Sequence, residues 1–122
     1  MSNLSLSSSF GFAFSGIWFT IKKERNIKIH LLATILAILA GIYFKISRTE
    51  WLVLVLIISL VLAAEVFNSA IEGICNLLKE KLNLNYNQTT LIRNFSAGAV
   101  LILAIGSVIL GIIIFLPYLF SH

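Results

Sequence analysis

Apolar residues along the chain fall into three long runs at residues 29–46, 51 to about 78 and 96–116, separated by short polar intervals. At about 1.5 Å per helical residue each run is long enough, or nearly so, to cross roughly 30 Å of hydrocarbon, and the pattern predicts three transmembrane helices. Ahead of them Phe10, Ala13, Phe14, Ile17, Trp18 and Ile21 recur at helical spacing, with Ser9, Ser15, Thr20 and Lys22 on the other side. This predicts an amphipathic helix lying in the membrane interface, with Trp18 at headgroup level. The Ser-rich stretch 1–9 reads as a loose start, and 83–90, rich in Asn and Thr, as turn-forming. Tyr43 and Trp51 bracket the loop between the first two spans as interface anchors, and Pro117 is expected to close the third span. With no internal repeat and no linker, residues 1–122 read as one all-α membrane domain of three transmembrane helices plus an N-terminal interfacial helix.

The second run changes character along its length. At about 100° per helical residue, Glu65, Asn68, Ser69, Glu72, Asn76 and Lys79 fall within roughly a third of the helix circumference. An ionised side chain near the bilayer centre costs on the order of 2.5 to 3.5 kcal/mol, so such residues face a protein interior or a watery cavity and mark function by default. The fading of apolar character toward the end of the run leaves this stripe near one membrane face.

The 122 residues are 59% hydrophobic and only 11% charged, with a mean hydropathy of +1.00 and no Asp. A soluble domain of this length cannot hide so much apolar surface. The net charge of +4 does not point to nucleic acid, because the basic residues sit beside the apolar runs and act as a topology signal. Lys22, Lys23, Arg25, Lys28, Lys79, Lys81 and Arg93 flank one end of the spans, whereas Lys45 and Arg48 flank the other. Seven against two places the N-terminus and the second loop in the cytoplasm and the C-terminus outside the cytoplasmic membrane, so the stripe opens toward cytosolic ATP. The N-terminus lacks a charged n-region and an A-x-A-like site, which reads against a cleavable signal peptide. A single cysteine, Cys75, excludes an intramolecular disulfide and reads as a packing residue. His30 and His122 look too isolated to serve as ligands or acid/base groups.

Glu65 and Glu72 lie two helical turns apart, roughly 10 Å along the axis, so they suit separate roles. Phosphoryl transfer needs Mg²⁺ held on nucleotide phosphates, positive charge near the transferring group and a base for the acceptor hydroxyl. Magnesium takes one or two carboxylates and keeps phosphate and water oxygens for the rest, which suits Glu24 and Glu72 near the cytoplasmic face. Glu65, deeper, suits a base. No Walker A pattern, kinase Gly-rich loop or catalytic-loop signature occurs, so the residues alone leave three classes open: a membrane enzyme, a cation- or proton-conducting protein, and a structural bundle. Ser96, Ala97, Gly98 and Ala99, with Gly106 and Gly111 beyond, allow close helix approach in the third span. Oligomerisation is the natural way for so small a bundle to bury the stripe.

Taken in order, these segments resemble the prokaryotic diacylglycerol kinase and undecaprenol kinase family over nearly the whole chain. Ser9-Phe10-Gly11-Phe12-Ala13-Phe14-Ser15-Gly16 resembles its S-F-x-x-A-x-x-G opening, and Glu24-Arg25-Asn26-Ile27-Lys28-Ile29-His30 its E-x-N-x-x-x-H stretch. Glu50-Trp51 resembles the start of its second span, Glu65-Val66-Phe67-Asn68-Ser69-Ala70-Ile71-Glu72 its E-x-x-N-[TS]-A-I-E block, and Ser96-Ala97-Gly98-Ala99-Val100 the entry to its third span. The resemblance implies a homotrimer of three-span subunits that passes the γ-phosphoryl group of ATP to a lipid alcohol, with Mg²⁺, at the cytoplasmic surface near subunit boundaries. It implies Glu65 as general base, Glu24 and Glu72 as magnesium carboxylates, and Asn68 with Ser69 as polar site residues. The form of the E-x-N-x-x-x-H stretch is closer to the undecaprenol branch.

Three positions depart from the family pattern. Asn76 stands where the family has Asp, Arg93-Asn94 stands where it has Lys-Asp, and the loop between Glu72 and Arg93 is a few residues longer. A planar guanidinium is not equivalent to an ammonium at a phosphate site. With Glu24 and Glu72, these three residues make up the nucleotide side that the resemblance implies, and that side either holds ATP differently or works weakly.

Overall fold

The computed structural model describes residues 5–83 and 86–121, and these form four helices: α1 (Leu6–Lys23), α2 (Arg25–Phe44), α3 (Arg48–Lys81) and α4 (Tyr86–Ser121). No strand occurs among the described residues. Three segments are long and apolar enough to cross a membrane, namely α2, α3 and Gln88–Ser121 of α4. The protein is an integral membrane protein, and α3 and α4 pack together most extensively.

α1 begins earlier than its apolar period. Ser5 has an extended backbone and its hydroxyl accepts the Ser8 N–H at 3.2 Å, so the serine run expected to be loose is capped and helical from Leu6. One residue separates α1 from α2: Glu24 is extended, at φ −91° and ψ 128°, while its N–H bonds to the Thr20 carbonyl at 2.9 Å. The chain turns there, and the turn aims the Glu24 side chain at α3.

The hairpin between α2 and α3 is tightly specified. Lys45 takes the left-handed conformation at φ 53°, and the N–H groups of Lys45 and Ile46 close onto the Ile42 and Gly41 carbonyls. Ser47 and Glu50 form a reciprocal capping box that starts α3. Gly41 lies against Trp51, where an added Cβ would come within 2.8 Å of the indole. Ile46, Leu54 and Ile114 are buried together, with Phe44 and Tyr118 stacked at 5.9 Å beside them. The Tyr118 hydroxyl donates to the Glu50 carboxylate and ties the end of α4 to the start of α3.

These contacts explain why Pro117 does not close the third span: α4 continues through it to Ser121. The missing N–H forfeits only a bond to the carbonyl four residues earlier, and Tyr118 is held by Glu50 and Phe44 immediately afterwards. At the other end α4 already starts at Tyr86, so the turn expected over 83–90 is replaced by helix from 86 onward. Residues 1–4, which begin the stretch expected to be loose, and residues 84, 85 and 122, His122 included, lie outside the described residues. Thr89 is buried, and its carbonyl accepts from the Cys75 thiol at 3.8 Å. That tertiary contact overrides the local preference of Asn and Thr for turns.

α3 has 34 residues, about 51 Å at about 1.5 Å each, which exceeds a hydrocarbon thickness of about 30 Å. Leu54, Ile57 and Val61 are buried early in the helix, and Glu65, Asn68 and Cys75 continue the buried face. Leu32, Leu36, Leu39 and Ile42 of α2 and Ile102, Ile105 and Ile109 of α4 are exposed apolar residues that suit contact with lipid or another subunit.

Candidate active site

Three chain segments converge beside the second half of α3: the α1–α2 joint, the first turns of α2 and, further along, the first turns of α4. Glu65 and Asn68 are 1% and 7% exposed, so the deep end of the polar stripe is enclosed, whereas Asn76 and Lys79 at its other end are exposed. A carboxylate is seldom buried so completely without a partner.

The partner comes from α2. Nε2 of His30 stands 3.1 Å from Oε1 of Glu65, a close polar contact without hydrogen-bond alignment, and Oε1 has no hydrogen-bond donor among the described groups. His30 read as isolated in the sequence, and the structure corrects that reading. Counting from the turn at Ile46, His30 lies sixteen residues before and Glu65 nineteen after. Antiparallel helices of equal rise bring two such positions to within about one turn. The hairpin register was the signal that linear spacing concealed.

The other named groups assemble around this pair. The Ser69 hydroxyl donates to Oε1 of Glu24 at 3.1 Å, bringing the carboxylate from the α1–α2 joint onto α3. One turn further along, Nδ2 of Asn68 donates to Oε1 of Glu72 at 3.1 Å. The Asn68 Oδ1 is buried without a donor, so Asn68 and Glu65 each offer a lone acceptor. A hydroxyl proton or a cation is the chemistry such acceptors receive.

Towards the α3–α4 loop, Nη2 of Arg93 donates to Oδ1 of Asn76 at 2.6 Å. The Arg93 Nε is buried without an acceptor. Asn76 is a neutral amide, so it positions the guanidinium without cancelling its charge, whereas a carboxylate would neutralise it. Asn94, the next residue on α4, is exposed. Cys75 is buried and bonded to Thr89, consistent with packing.

Magnesium fits these residues in one way. Among the described residues no group of three or more His, Cys, Asp or Glu side chains gathers to hold an ion alone. Glu24 and Glu72 are nevertheless brought onto neighbouring turns of α3 by Ser69 and Asn68. Two hard oxygen donors are what Mg²⁺ takes when phosphates and water complete its shell.

A groove of about 440 Å³ runs along the adjacent face of α3, lined by Ile17 and Ile21 of α1, Ile27 and Leu31 of α2, and Val66 and Phe67 of α3. Its walls are hydrocarbon. None of Glu24, Glu65, Asn68, Ser69 or Glu72 lines it, and an apolar groove on the face of α3 next to those polar groups suits an amphiphile with a reactive polar head.

Comparison with known proteins agrees with this chemistry. The family model of the prokaryotic diacylglycerol kinases matches residues 11–115. The chain is similar to an undecaprenol kinase of Bacillus subtilis, at 34% identity over 91% of this chain and 88% of that protein. It is also similar to a diacylglycerol kinase of Synechocystis sp., at 32% identity over 93% of this chain, of which it spans 63% of the length. No solved structure gives a significant match.

Proposed function

The chain belongs to the prokaryotic diacylglycerol kinase family, and from that premise we propose that this lipid kinase transfers the γ-phosphoryl group of ATP to the hydroxyl of a membrane lipid alcohol at the cytoplasmic face. Undecaprenol stands ahead of diacylglycerol as acceptor, supported by the similarity to an undecaprenol kinase along most of both chains. The observation that carries the reading is the convergence of Glu24, Glu65, Asn68, Ser69 and Glu72 beside an apolar groove.

In this reading the lipid hydrocarbon lies in the groove and its hydroxyl turns toward Glu65. Glu65 accepts the hydroxyl proton as the lipid oxygen bonds to the γ-phosphorus, and the bond from that phosphorus to the β–γ bridging oxygen breaks to release ADP. Asn68 accepts from the reacting head or its water through Oδ1 and holds Glu72 through Nδ2. Glu24 and Glu72 would hold Mg²⁺, which when bound neutralises charge on the phosphates. Arg93, positioned by Asn76 and flanked by Asn94, provides positive charge on the nucleotide side, so the three departures read as an altered but working arrangement.

The basic residues at this end of the bundle, seven against two, support a cytoplasmic N-terminus and an outer C-terminus. Cysteine introduced at Asn83 is expected to resist impermeant thiol reagents in intact cells, with Thr49→Cys labelled, and the reverse pattern overturns the orientation. In the proposed homotrimer the exposed apolar faces of α2 and α4 are available for subunit contacts.

The direct test is transfer of labelled phosphate from γ-labelled ATP in mixed micelles holding either undecaprenol or a diacylglycerol, with and without Mg²⁺. Magnesium-dependent labelling of undecaprenol is the expected result. Labelling of neither lipid, together with ion flux in reconstituted vesicles, would replace the kinase reading with a conducting one.

A further inference from the structure

Beyond the groups assigned to phosphoryl transfer, one polar side chain touches the proton acceptor itself. We propose that His30 is a positioning residue for Glu65: from the second turn of α2 its imidazole fixes the orientation of the buried carboxylate and keeps it competent as a base. This inference rests on the reading of Glu65 as the proton acceptor.

Four observations carry it. Nε2 of His30 lies 3.1 Å from Oε1 of Glu65. Glu65 is almost fully enclosed, with 2% of its side chain exposed against 22% for His30, so the contact operates where water cannot substitute for it. The neighbouring donors are committed elsewhere, Ser69 to Glu24 and Asn68 to Glu72, which leaves the imidazole facing Glu65. Finally, His30 is held on a defined backbone, since the Thr34 hydroxyl donates to its carbonyl at 2.7 Å.

The surroundings fit a tuned ring better than a filler of space. His30 borders a cavity of about 130 Å³ between α2, α3 and α4, whose α3 wall is made by Leu54, Ile57, Ile58 and Val61. Glu65 continues that wall one turn beyond Val61. An aliphatic side chain at position 30 would complete an apolar cavity and strand a carboxylate above it, and such burial without a partner is costly. An imidazole faces the carboxylate from the α2 side and leaves the groove side for the lipid hydroxyl. Misplacement of a reacting group by about 1 Å costs on the order of 100-fold in rate, so a residue that only orients Glu65 has a large lever on turnover.

The test uses the full-length protein in mixed micelles with Mg²⁺–ATP and undecaprenol, and a diacylglycerol in parallel. His30→Leu is expected to lower kcat roughly 10- to 100-fold with KM for ATP unchanged, because the loss falls on the chemical step. His30→Gln, which keeps an N–H donor of similar reach, is expected to recover a large part of that loss, including where its thermal stability is no higher than that of His30→Leu. A merely structural role predicts instead that activity tracks stability and that Gln restores nothing beyond what folding restores. Kcat within twofold of the parent in His30→Leu overturns the proposal. If His30→Leu does not accumulate in the membrane, His30→Gln and His30→Asn decide it: retained turnover in Gln with loss in the shorter Asn supports positioning, and equal turnover in both overturns it. Glu65→Gln, measured alongside, separates the premises. An active Glu65→Gln removes the base reading, whereas an inactive Glu65→Gln beside a fully active His30→Leu removes only the role of His30.

Discussion

Ser69, in the middle of α3, donates a hydrogen bond of 3.1 Å to Glu24, forty-five positions earlier at the joint of α1 and α2. The bond recruits a carboxylate from a helix-breaking residue to the face that carries Glu65 and Glu72. A hydrogen bond to a charged group contributes about 1.5 to 3 kcal/mol. Ser69→Ala is therefore expected to raise the Mg²⁺ concentration for half-maximal activity roughly tenfold, with Ser69→Thr retaining most of the parent behaviour. A metal titration of the purified enzyme checks this, and an unchanged midpoint in Ser69→Ala would mean that Glu24 is placed by the chain turn alone.

Arg93 and Asn76 make the second testable relationship. The 2.6 Å bond between them leaves the guanidinium charge uncancelled, so replacing the amide by a carboxylate should neutralise it. Asn76→Asp is expected to raise KM for ATP roughly three- to tenfold while leaving KM for the lipid unchanged. The combined change Asn76→Asp, Arg93→Lys and Asn94→Asp should also lower activity, because a point-like ammonium paired to a carboxylate replaces a positioned fork. Steady-state kinetics with ATP varied gives the answer, and higher turnover in the triple variant would mean that the three natural residues are a loss rather than an alternative arrangement.

The outer end of the bundle makes a separate prediction about stability. An added methyl at Gly41 would meet the Trp51 ring at 2.8 Å, and that ring packs beside the core of Ile46, Leu54 and Ile114. Overpacking of this kind costs about 1 to 3 kcal/mol. Gly41→Ala should lower the thermal midpoint in detergent, yet leave KM for ATP unchanged because the site lies at the opposite end of α3. A change in nucleotide KM without loss of stability would contradict the division between the two ends.

How much was legible in the sequence depended on the range of the interaction. The three spans were visible because lipid solvation imposes a long apolar run, and the stripe from Glu65 to Lys79 was visible because helical period alone sets its face. The start of α1 at Leu6 was missed because one serine hydroxyl, that of Ser5, caps it. The helix through Pro117 and the early start of α4 were missed because Glu50 with Tyr118 and Cys75 with Thr89 are contacts between distant segments that override local propensity. In the site, the helical face of Ser69, Asn68 and Glu72 could be read from spacing, whereas the pairing of His30 with Glu65 depends on the register of the α2–α3 hairpin. The sequence offered both residues but no measure of the distance between them.

Glu65→Gln tests the central claim most directly. The amide keeps the size of the side chain and removes the proton acceptor, so phosphate transfer from labelled ATP to undecaprenol should fall by about 100-fold or more, while the protein still accumulates in the membrane with its parental thermal stability. Transfer within a few-fold of the parent in a folded Glu65→Gln enzyme would contradict the account, because the buried carboxylate beside His30 would then have no part in the reaction.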